Sequence, residues 1–179
     1  MVKKMTKFLG YSLFFILALI CFTPKVSVYY FLETMLVPHA IAINSETAVD
    51  NAFTLSVNNA NISVQSIESA NIAETNVKIF ALYNRIEFKD ITLSATSQVF
   101  VPRHVESANI SYTLLNPLNV VAKINGAFGE ADVKFNLIER ALHLKVIPSE
   151  LMLKEYKNTL QNMSKNENGE YVYDKNISL

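Results

Sequence analysis

The sequence predicts a mainly β protein with an N-terminal transmembrane helix. The β part is expected as an antiparallel sheet of short strands, whether an open curved sheet, a sandwich or a barrel, with short flanking helices. Three observations predict this class. Residues Phe8–Pro24 carry no charge. From Ile41 onward, apolar and polar residues alternate in short runs, the pattern of half-buried strands. Those runs are separated mainly by asparagine and serine, which supply turns without help from the chain's 4 glycines.

The first expected unit is residues 1–24, a cytoplasmic start and one membrane helix. Phe8, Phe14, Phe15, Ile16, Leu19 and Phe22 form its apolar surface, and Lys3, Lys4 and Lys7 precede it. A helix over 8–24 is about 26 Å long, slightly short of the roughly 30 Å hydrocarbon core. Lys7 and Lys25 are placed to snorkel across the difference. The leading lysines predict a cytoplasmic N-terminus, with the rest of the chain on the other side. A cleaved signal peptide needs small residues at its cleavage site, and the exit Leu19-Ile20-Cys21-Phe22-Thr23-Pro24 offers no A-x-A pattern. Acylation at Cys21 requires a small preceding residue, and Ile20 is bulky. An uncleaved anchor is therefore expected.

The second unit is residues 25–40, a short amphipathic helix and connector. Val28, Phe31, Leu32 and Met35 share one helical stripe. Pro24 breaks the chain ahead of it, and Pro38 ends it. The stripe either caps the domain core or lies on the membrane surface; a short, poorly basic helix favours the cap.

The third unit is residues 41–179, an antiparallel β domain. Phe53, Leu55 and Val57 alternate with polar residues, as do Val77 with Ile79 and Ile86 with Phe88. Asp90 then shifts the parity, so that Ile91 and Leu93 take the opposite phase, as a bulge allows. Residues 119–147 read as a three-stranded meander through Gly126 and Gly129, stopped by Pro148. Ser149 is an N-cap candidate for a helix near 149–164, with Leu153, Tyr156, Leu160 and Met163 on one face. Residues 170–174 (EYVYD) could be a last strand. Phe53, Leu55, Phe135, Leu137 and Leu144 are the candidate apolar inner face of the sheet.

The phrase ESANI occurs at Glu68–Ile72 and Glu106–Ile110, and ANIS occurs at Ala60–Ser63 as well. The spacing is not that of a repeat architecture. The expected reading is a polar corner followed by the first inward residue of the next strand.

Sites of chemistry are sparse. There is no G-x-S-x-G, no phosphate-binding glycine loop and no paired histidine motif. His39, His104 and His143 lie far apart, with His143 expected to point outward from a strand. Cys21 is the single cysteine, which rules out an intrachain disulfide or a cysteine metal site. Beyond the three leading lysines the chain carries 13 basic and 16 acidic residues, a net of −3, which argues against a nucleic-acid partner. No enzyme activity, cofactor or metal is expected.

The basic start, single membrane helix, T-P exit, second short helix and the hairpin I-N-G-A-F-G-E-A-D-V-K-F-N-L together resemble the N component of type II secretion systems. More loosely, they resemble the N-terminal part of AsmA-like proteins. The most specific stretch is 123–149, where a G-x-x-G hairpin leads into a strand ending L-x-L-x-V-x-P. The resemblance implies a single-pass protein of the bacterial inner membrane with a periplasmic β domain. Its partners would be the lipid bilayer and envelope or secretion-machine proteins, met through contacts of the β domain. The AsmA likeness implies lipid binding or lipid transfer as the alternative.

Overall fold

The structure is a computed structural model and describes residues 2–80 and 82–177. The side chains of Val2 and Lys3 are not among those described. The chain opens with helix α1 (Val2–Phe22), followed by α2 (Lys25–Thr34) and a single 3-10 turn at Val37–His39. Strands β1 (Ile41–Asn44), β2 (Thr47–Asp50), β3 (Thr54–Val64), β4 (Ile67–Ile79), β5 (Tyr83–Leu93) and β6 (His104–Thr113) follow. Next come β7 (Asn119–Gly126), β8 (Gly129–Asn136) and β9 (Ala141–Pro148). Two short helices, α3 (Glu150–Glu155) and α4 (Lys157–Leu160), precede β10 (Ser164–Lys165) and β11 (Tyr171–Asn176).

All eleven strands form one open antiparallel sheet. Its order is β1-β3-β4-β5-β6-β7-β8-β9-β11-β10, with β2 continuing the β1 edge against β3. From β3 to β9 each strand pairs with the next in sequence, so every connection is a turn or short loop on one of two rims. One rim carries the β2–β3, β4–β5, β6–β7 and β8–β9 connections. The opposite rim carries β3–β4, β5–β6, β7–β8 and the exit from β9. They are called here the first and second rim.

Period-2 alternation gives the sheet two unlike faces. Leu55, Val77, Ile86, Ile110, Ala122, Val133 and Leu144 lie opposite one another, strand to strand, in one row across the sheet. A second row holds Val57, Thr75, Phe88, Ala108, Ile124, Ala131 and Val146. This inner face is mostly apolar, with Thr75 and Asn84 as polar exceptions. The outer face is polar and laced with ion pairs: Arg85–Glu87 at 2.9 Å, Lys89–Glu74 at 3.1 Å and Lys145–Glu170 at 3.1 Å. Such exposed pairs add little stability individually, typically about 0–1 kcal/mol. They mark the outer side and disfavour a one-residue slip that would bury charge.

Unpaired positions that face one another keep the inner rows in phase. Asp90 has φ +51° and pairs with neither neighbouring strand; Ala73 and Glu106 opposite it are skipped too, so the parity change read at this residue occurs with no register shift between β5 and β4 or β6. Asn59 (φ +58°), opposite Ala73, does the same in β3. The ESANI phrase differs from the expected corner. Each ANI triplet lies inside a strand, with alanine and isoleucine facing inward and asparagine outward. Two of the triplets face each other, Ala60 opposite Ile72, Asn61 opposite Asn71 and Ile62 opposite Ala70. Asn71 Nδ2 donates to Asn61 Oδ1 on the outer face, and Arg85 Nη2 donates to Asn109 Oδ1 at 3.0 Å. Both copies of ESA carry a register shift, skipping Ser69 in β4 and Glu106 in β6. The phrase thus encodes a bulge followed by an in-out-in triplet, and bulges bend the strand and increase its twist.

The helices also depart from expectation. α1 is 21 residues long and takes in the lysine-bearing first turn, giving about 31 Å. It ends at Phe22, where Thr23 Oγ1 donates to Leu19 O. Lys25 does not snorkel: it is 4% exposed, with Nζ 3.3 Å from Asp50 Oδ1 and its backbone N–H donating to Asp50 Oδ2 at 3.0 Å. On α2 the side chains packed against the core are Val26 and Tyr29, while Val28, Phe31, Leu32 and Met35 stay more than 40% exposed. The helix near 149–164 is two short helices, broken at Tyr156 (φ −117°, ψ 31°). Ser149 does cap the first, accepting from Met152 N–H, and Met152 and Leu160 are the side chains it and α4 bury.

Candidate functional site

The inner face needs cover, and the helices give it only in part. Leu55, Val57 and Ala60 are buried where α2 crosses β3, with Val26, Tyr29, Ile43, Ala48 and Val77 packed around them. Beyond β4 the cover thins. Phe135 and Leu144 sit on the inner face but only half-buried. Among the described residues, no large side chain is fully sequestered. The sheet is therefore a trough with an apolar floor, not a closed core.

It holds a cavity of about 470 Å³ between α2 and strands β1, β3, β4 and β5. Val28, Leu32, Met35 and Leu36 form the helical wall, and Leu55, Val77, Ile86 and Phe88 the floor. Val28, Leu32 and Met35 of the amphipathic stripe thus face a space rather than a packed core, while Phe31 does not line it. A cavity of this size falls within the range of about 300–1,000 Å³ typical of small-molecule sites.

Polar groups gather at the helix. Burial raises the Glu33 carboxyl above its ordinary pKa, and the nearby Glu46 carboxylate adds to the rise. The Tyr29 hydroxyl is pushed up to about 12, first by burial and then by Glu46, Glu33 and Tyr30. Asp50 moves the other way: the Lys25 backbone N–H and ammonium hold it below the usual carboxylate range, against a smaller opposing effect of burial. Among the described residues lining the pocket, Lys25 is a buried cation and is already paired with Asp50.

The other sequence-derived candidates are distributed as follows. Phe8, Phe14, Phe15, Ile16, Leu19 and Phe22 are all exposed on α1, which is long and apolar enough to cross a membrane. Lys4 and Lys7 lie on its first turns. Leu55, Phe135 and Leu144 share the inner face. Phe53 and Leu137 lie outside the strands, in first-rim turns; Phe53 stacks on Phe80 with ring centroids 6.5 Å apart. His143 is on the outer face, its Nδ1 against Asp174. Among the described residues no three His, Cys, Asp or Glu side chains converge as a metal ion would require.

Sequence reasoning missed the cavity. Its walls were visible as apolar positions, but alternation shows only that a face is apolar, not whether something packs on it. The one usable signal was the α2 stripe, four apolar residues on a helix with too few sequence neighbours to bury it. No family model, curated protein or solved structure matches this chain.

Proposed function

We propose that this chain is a non-enzymatic, membrane-anchored lipid-binding protein. Its trough holds an acyl chain between α2 and the sheet. The observation that carries this reading is the 470 Å³ apolar cavity. It opens beside the end of α1, since Thr23 and Lys25 are among its lining residues. Contiguous exposed apolar surface of this kind on one protein marks a ligand or an interaction site. α1 would anchor the chain in a bacterial inner membrane with the sheet on the periplasmic side, as the leading lysines favour.

The test is native mass spectrometry of the full chain after gentle detergent removal in the gas phase, with extraction of retained lipid. Phospholipid or free fatty acid is expected at one or more per chain. The Leu32→Glu variant, which places a charge in the cavity wall, should lose it. A lipid-free wild type under conditions that keep the sheet folded would overturn the reading.

A second reading has its own observation. β11 is six residues long but is covered on its outer side by only two residues of β10. Tyr173–Asn176 therefore present an open strand edge, the geometry that accepts an added strand. On this reading the β domain joins an envelope or secretion assembly through protein contacts. Crosslinking in cells from position 174 would capture a protein partner if it holds.

A further inference from the structure

The first rim differs from ordinary turns. Surface turns are built mainly from Gly, Pro, Asn, Asp and Ser. Here every connection on that rim carries an exposed large apolar residue. Phe53 lies between β2 and β3, Leu82 between β4 and β5, Leu115 and Leu118 between β6 and β7, and Ile138 between β8 and β9. Leu115 is 94% exposed and Ile138 72%. Single exposed leucines are unremarkable, but successive turns along one line are not. With strands about 4.8 Å apart, the line from the β2–β3 turn to the β8–β9 turn is roughly 30 Å long.

The same rim receives the membrane helix. Asp50 ends β2 at the first rim, and it holds both the backbone and the side chain of Lys25, three residues after α1 ends. The end of α1 is thus fixed at one corner of the sheet. From this corner a bilayer surface could follow the β1/β2 edge or the first rim. The edge presents Asn44, Ser45, Glu46 and Thr47, and the rim presents apolar tips.

The second rim also shows exposed apolar residues, Ile67 beside the β3–β4 turn and Val99 and Phe100 in the β5–β6 connection, but the end of α1 is not fastened there, and α3 and α4 cross this side, with Thr159 Oγ1 donating to Phe100 O.

We propose that the first rim rests on the surface of the bilayer that α1 spans, with its apolar tips inserted at the headgroup–acyl boundary. The inference rests on the anchor reading of α1 but not on lipid occupying the trough. The rim turns carry few charges beyond Glu139 and Arg140, so the contact is apolar and should tolerate high salt. Such a posture sets the strands on end and brings the mouth of the α2 cavity to the membrane.

The chain contains no tryptophan, so one introduced indole reports alone. The experiment reconstitutes the full chain in vesicles of brominated phosphatidylcholine, using single variants Leu115→Trp and Ile138→Trp on the first rim. Ile67→Trp and Val99→Trp report on the second, and Phe14→Trp on α1. Fluorescence is expected to be lost at Leu115→Trp and Ile138→Trp to a degree approaching Phe14→Trp, in low and high salt alike. The second-rim variants should keep theirs. Quenching of Phe14→Trp alone would overturn the rim placement while leaving the anchor intact. Equal quenching at both rims would also overturn it. Absence of quenching at Phe14→Trp would remove the anchor and the rim placement together. All five positions are exposed, and circular dichroism checks that each variant keeps its sheet.

Discussion

The two rims of the sheet are made from the same strands and do opposite things. The second rim is locked by backbone. At Gly129 (φ +111°) an added Cβ would lie 2.1 Å from Ile147 O, and at Gly126 it would lie 2.9 Å from His104 O. Ser149 ties the end of β9 to the β7–β8 turn by donating to Ala127 O at 2.7 Å, while it also caps α3. The first rim is tied turn to turn by backbone, with Leu114 N–H donating to Leu82 O at 3.0 Å and Leu137 N–H to Leu118 O at 2.8 Å, but its turns end in apolar tips. It also has position, because α1 is fastened to it. The difference teaches that the two rims are held in different ways: the second by close backbone contacts around Gly126, Gly129 and Ser149, the first by its attachment to α1.

The largest expected effect lies at Gly129. Gly129→Ala combines a left-handed backbone with a clash against backbone atoms that cannot rotate away, and should cost about 3 kcal/mol or more. Thermal unfolding of the full chain in detergent, followed by circular dichroism, measures it; an unchanged midpoint would show that the second rim is not locked as described. Ser149→Ala comes next. It removes a cap and a second hydrogen bond, for about 1–2 kcal/mol by the same assay.

The third effect is pH-dependent and belongs to the corner where the rims' roles meet. The folded pKa of Asp50 lies below its unfolded value of about 3.9. Its contribution to stability is therefore complete above that value and fades as pH falls through the folded pKa. Acid titration of stability should lose part of its slope in Asp50→Asn, and a superimposable profile would discount the Lys25–Asp50 clamp. The smallest effect on folding is expected on the first rim. Leu115→Ser and Ile138→Ser should shift stability by no more than about 0.5 kcal/mol, since neither residue is packed. A large loss there would mean that the tips hold the fold together, which would erase the contrast between the rims.

Much of this architecture could be read from the residues. The strand alternation, the parity change at Asp90, the meander through Gly126 and Gly129, and the Ser149 cap are local signals, each written in a few consecutive side chains. The sheet's openness was not legible, because closure depends on how far the bulges bend strands far apart in sequence. The ANI triplets misled for a physical reason. Asparagine favours turns when its side chain serves its own backbone, but Asn61 and Asn71 serve each other across two strands. The face of α2 was ambiguous because apolar residues nearly encircle it, and only the sheet beneath selects Val26 and Tyr29. Leu160 was legible on the expected face, while Met152 was hidden by the break at Tyr156, which resets the helical phase.

The clamp at Lys25 has a mechanical meaning. With the first residue of α2 held at two points by Asp50, and with Thr23 closing the end of α1 onto Leu19, the stretch Thr23–Pro24 is the one short joint between rod and plate. A pull on the sheet from any partner would reach the rod as torque rather than be absorbed by slack chain. Tilt of α1 and orientation of the sheet would then vary together, as a lever and its fulcrum do.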